Sequence, residues 1–201
     1  MNRWRHFLLI IVVTVFLCSL PCATVAAQDA SEAIDIVQKA ANGLIAWFKS
    51  LVDQVEQLAK AEDRRRLIED LTTLGKAIFE LEEEKRNLLL ELQRQPVNVA
   101  AIDRAVSDSD VQLRAVRERL RQVGHALREQ FRHGGENVER LLTSAAGSRK
   151  LWLEDVLALV KQSNSPDVAR LIVKGQETVE ALAEAHKQLV RLIHQLREVH
   201  N

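Results

Sequence analysis

An all-α fold, arranged as an elongated antiparallel helical bundle with long coiled-coil-like helices, is what this sequence predicts. Three observations predict it. Apolar residues recur at alternating spacings of three and four, the period of one helix face, and no stretch alternates as a strand does. The residues between them are mainly alanine, leucine, glutamate, glutamine, lysine and arginine, all strong helix formers. Glycine and proline number only 7 and 3 in 201 residues, so each can be tested as a boundary.

The first residues read as a secretory signal. Arg3 and Arg5 give a positive start, and Phe7 to Leu20 form an apolar run. Pro21 is expected to break that helix, and Val25-Ala26-Ala27 presents small residues for cleavage after Ala27. Residues 28–201 are then one exported helical domain, periplasmic or extracellular. The alternative is an uncleaved anchor, because Phe7 to Ala27 approaches the roughly 20 residues that a bilayer requires. Both cysteines, Cys18 and Cys22, lie in the leader. A cleaved chain has no disulfide, no reactive thiol and no thiolate metal site, and rests on packing alone. The 28 basic and 28 acidic residues balance, and loss of Arg3 and Arg5 tilts the balance slightly to acid. Such a chain has no general attraction to nucleic acid.

The elements follow in order. Ser31 is a good N-cap for a first helix with a seam of Ile34, Val37, Ala41, Leu44, Phe48, Leu51, Val55 and Leu58. The rhythm slips between Leu58 and Leu67, and the sequence favours a break near Glu62 to Arg65. A second helix runs from Leu67 to Leu92, with Lys85 in one seam position, and ends before Pro96. The third carries a seam from Val99 through Ile102, Val106, Ser109, Leu113, Val116, Leu120, Val123 and Leu127 to Phe131, and Gly134-Gly135 is expected to stop it. Short helices follow, from Glu136 to Ala146 and from Lys150 to Gln162. The last begins at Ser165-Pro166-Asp167 and carries Val168, Ile172, Gly175, Val179, Leu182, His186, Leu189, Ile193 and Leu196. The four long helices, of roughly 30 residues, would each be about 45 Å long.

Chemistry is sparse. The histidines at 125, 133, 186, 194 and 200 have no pair at ligand spacing, and neither His-Glu-x-x-His nor Glu-x-x-His occurs. Nucleophile-elbow, phosphate-loop and dinucleotide motifs are missing as well. The sequence therefore predicts no catalytic residues, no cofactor and no metal. Its charge clusters, Asp63 to Arg66 and Glu82 to Arg86, read as solvated helix faces. Two apolar groups exceed what one seam covers: Leu88, Leu89, Leu90 and Leu92, and Trp47 with Phe48. These are the candidate interaction surface. His186, on the last seam, is the candidate pH-sensitive position, with a half-exposed place at the bundle edge as its plainer reading. Gly175 either admits a close helix or is merely tolerated. The expected function is association with a protein partner or with itself. Membrane attachment and carriage of a metal or small ligand are the alternatives.

Overall fold

The computed structural model describes residues 21–94, 96–147 and 166–199. Within them the fold is all helical: α1 (Pro21–Asp53), α2 (Val55–Ala61), α3 (Arg64–Gln93), α4 (Val99–Ala126), α5 (Glu129–Gly147) and α6 (Pro166–Glu198). The four long helices have 33, 30, 28 and 33 residues, which meets the expected length. The expected helix over 150–162 lies outside the described residues.

The first helix, expected unbroken to Leu58, is interrupted at Gln54, where the backbone leaves the helical region with no side-chain cap, and α2 resumes one residue later. The break expected near Glu62 falls at Glu62-Asp63, where the Asp63 carboxylate accepts from the Arg66 amide at 3.3 Å and so caps α3. Asn98 caps α4 in the same way, accepting from Ala101 N at 3.1 Å. Each cap satisfies an amide that has no partner inside the helix. Asp63→Ala or Asn98→Ala is expected to cost about 1 kcal/mol in chemical denaturation, with helix content preserved.

Two further boundaries correct the sequence reading. Helix α1 passes through Ala27 and Ser31 without interruption, and its described part begins at Pro21, so Ser31 caps nothing. Further on, α4 ends at Ala126 rather than at Gly134-Gly135. The turn is made by Leu127 in an extended conformation, and the Arg128 amide donates to the Glu62 carboxylate at 2.7 Å. The Glu62-Asp63 and Leu127-Arg128 breaks are thereby tied together at one end of the bundle. Helix α5 then runs straight through both glycines.

Packing is circular: α1 beside α6, α6 beside α3, α3 beside α4, α4 beside α5, and α5 back on α1. Neighbours run antiparallel with one exception. Asp35 meets Lys174 and Gln38 meets Glu177, so α1 and α6 run parallel. The main core holds Leu44, Phe48, Leu71, Leu74, Ile78, Leu81, Val116, Leu120, Val123 and Leu189, all almost fully buried. A second cluster, Leu88, Leu92, Ile102, Ala105, Val106 and Leu171, lies toward the α3–α4 turn.

Candidate functional site

The residues expected to form an interaction surface are mostly used inside the chain. Trp47 and Phe48 are 4% and 0% exposed, and Leu88 and Leu92 are 3% and 8% exposed. Leu89 is half-buried against α6. Only Leu90 faces outward, at 52% exposure. The reason is that α3 is flanked by α4 and α6, so it buries more than one stripe, and a run of consecutive leucines fills both sides.

Trp47 explains the glycine pair. Its indole lies across α5, and its Nε1 donates to the Phe131 carbonyl at 2.9 Å. A β-carbon on Gly134 would stand 2.7 Å from Trp47 Cγ and 3.0 Å from its Cβ, and one on Gly135 would stand 3.0 Å from Cζ2. The glycines are the seat of the ring. Beside it, an open groove of about 400 Å³ runs between α1 and α5, with Trp47 and Phe131 among its apolar walls and Ser50, Gln54, His133 and Asn137 among its polar ones.

Gly175 is likewise a close-approach position. A β-carbon there would collide with Leu89 Cδ2 and lie 3.4 Å from Cγ. The contact is reciprocal, because a β-carbon on Gly75 of α3 would lie 3.4 Å from Leu189 Cδ2 of α6. Each helix thus inserts a leucine against the other's glycine, and the two helix axes can approach closely.

One charge cluster departs from the expected solvated face. Glu82 is 6% exposed, and Arg86 reaches back to it at 2.6 Å. Lys85 points into the bundle beside Leu88, Leu92, Leu171 and Thr178. Burial pushes its ammonium down to about 8, and the Asp110 carboxylate on α4 limits the drop. Asp110 is itself 8% exposed and accepts from Arg114 Nε at 3.0 Å. Ser109, buried next to it, has an Oγ with no hydrogen-bond partner. One level toward the α3–α4 turn, Lys174 donates to both Asp35 oxygens at 2.7 and 2.8 Å. These side chains form a polar belt across all four long helices.

The outer side of the α3–α6 pair carries a surface that the sequence does not announce. Phe79 is 47% exposed, and its ring sits 5.7 Å from that of His186, centroid to centroid. His186 is half-buried at the helix edge over Gly75, which is its plainer expected position. Val190, one turn beyond His186, is 52% exposed. Leu90 lies eleven residues from Phe79, about three turns, and so on the same face of α3. Phe79 stands one position off the seam, directly after Ile78. The usable signal is that Phe79 and Leu90 are both off-seam and in phase with each other.

Among the described residues, no group of three or more His, Cys, Asp or Glu side chains is gathered as metal ligands would be. No described helix is long and apolar enough to cross a membrane. No known protein family, no curated protein and no solved structure matches this chain.

Proposed function

We propose that this chain is an exported, non-enzymatic helical bundle that works by association, with a protein partner or with a second copy of itself, through the outer face of α3 and α6. The observation that carries the reading is Phe79, 47% exposed with its ring against that of His186, together with Val190 and Leu90, each 52% exposed elsewhere along the two helices. The other described phenylalanines, Phe48 and Phe131, are consumed by the core, as is Trp47. An aromatic left outside beside aliphatic neighbours is the composition that buried interface centres favour. Lys76 and Glu80, a surface ion pair next to Phe79, give that centre a polar rim.

Sedimentation velocity with chemical cross-linking tests this. The chain is expected to associate, and Phe79→Glu with Leu90→Glu is expected to weaken that association at least about tenfold, with circular dichroism unchanged. A charged group placed in a dry contact loses its water without a partner, which is why glutamate is the probe. A chain that stays monomeric across the concentration range, and retains no protein that the double variant loses, would sink the reading.

A further inference from the structure

We infer that the end of the bundle carrying the α3–α4 turn opens as one cooperative unit at the polar belt, while the remainder of the bundle stays folded. The inference rests on how the apolar packing is divided. The described core falls into two clusters, and every long helix places charged or polar side chains at their boundary, where Val37 and Val179 supply the apolar contacts that remain. Helix α1 contributes Asp35, α3 contributes Glu82 and Lys85, α4 contributes Ser109, Asp110 and Arg114, and α6 contributes Lys174 and Thr178. Among the described residues, the buried side chains of α5, Phe131, Val138 and Leu142, pack into the main cluster.

The belt is where separation costs least. Parting two apolar surfaces forfeits their whole burial energy. Parting the belt returns water to the buried Glu82 and Asp110 carboxylates, whose pairs with Arg86 and Arg114 lie within one helix and survive, and that gain offsets part of the burial lost. Ser109 sharpens the point. Its Oγ is buried without a partner and would gain a hydrogen bond on opening. Beyond the belt, Leu88, Leu92, Ile102, Val106 and Leu171 would separate from the body together, since they pack on one another. Leu88 and Leu92, which look surplus in the sequence, are then covered in the closed state and bared in the open one. This holds whether or not the outer face of α3 and α6 binds a partner.

Native-state hydrogen exchange on the full chain, followed against low denaturant, tests it. Amides of 88–92 and 101–106 are expected to be protected at least about tenfold less than those of 74–81, 116–123 and 185–192, and to share one denaturant dependence. Lys85→Met combined with Asp110→Leu replaces the facing charges at the centre of the belt with apolar groups and is expected to narrow that gap at least about tenfold. Two results would overturn the inference. In one, both sets of amides exchange together through global unfolding. In the other, protection near the turn falls off residue by residue with no denaturant dependence, which is end fraying. The wild-type measurement decides even if the double variant does not fold.

Discussion

Gly134→Ala should destabilise the bundle by about 2–3 kcal/mol, lowering Tm by roughly 4–12 °C, although the same change inside an ordinary helix stabilises by about 1 kcal/mol. The sign reverses because of one side chain. The added methyl would stand 2.7 Å from Trp47 Cγ, and the indole has no free rotation to yield. Its Nε1 is held by the Phe131 carbonyl at 2.9 Å, and the ring is 4% exposed. Relief requires either breaking that buried hydrogen bond or pushing α5 away from α1. Gly124 is the internal control. It lies in α4, where an added β-carbon would meet nothing within 4 Å, so Gly124→Ala should gain about 0.5–1 kcal/mol. A double-mutant cycle makes the test specific. In a Trp47→Ala background the collision is gone, and Gly134→Ala should turn mildly stabilising. Chemical denaturation followed by circular dichroism reads all of these. If Gly134→Ala behaves like Gly124→Ala, the ring is not seated on α5.

The same glycines show where sequence reading succeeds and where it stops. Seam positions are legible because they need only local periodicity. Ile102, Val106, Ser109, Leu113, Val116, Leu120, Val123, Leu127 and Phe131 share one expected seam, and all are buried. Val99 keeps the same register and is 40% exposed, being the first residue of its helix. The break at Glu62-Asp63 is legible because the seam skips a beat there and Asp63 can cap. Gly134-Gly135 misleads because paired glycines ordinarily end helices, and the partner that overrides this stands far upstream at Trp47. The helix breaks instead at Leu127-Arg128, where no glycine or proline marks the turn and the anchoring acceptor, Glu62, is equally remote. Periodicity also understates α3. A helix flanked on two sides buries residues that a single seam leaves surplus, so Leu88 and Leu92 turn inward while Phe79 stays out. Pairings between distant elements decide these cases, and periodicity carries no information about them.

Lys85 is where the charge pattern is partly readable, since it interrupts an apolar seam, and it yields the second large effect. Its ammonium titrates near 8 in the folded chain against an ordinary value of 10.5, because burial penalises the charged form more than Asp110 favours it. The fold therefore prefers the neutral amine. This group's stabilising contribution is fully present above 10.5 and is lost as pH falls through about 8. At neutral pH the protein carries the cost of the buried charge. A tenfold loss of proton affinity corresponds to about 1.4 kcal/mol, and part of the Lys85 side chain remains accessible, so the net cost is about 1–3 kcal/mol. Lys85→Met fills a similar volume without the charge, and Asp110 keeps Arg114 as its partner. The variant should accordingly be more stable than wild type by about 1–3 kcal/mol at pH 7, and the difference should shrink steadily between pH 8 and 10.5. Comparing the two proteins at each pH removes the titration of every other group. A variant less stable than wild type below pH 10.5, by an amount that disappears at higher pH, would mean that Lys85 holds the helices together as an ion pair. The belt would then be a clasp and not a weak seam.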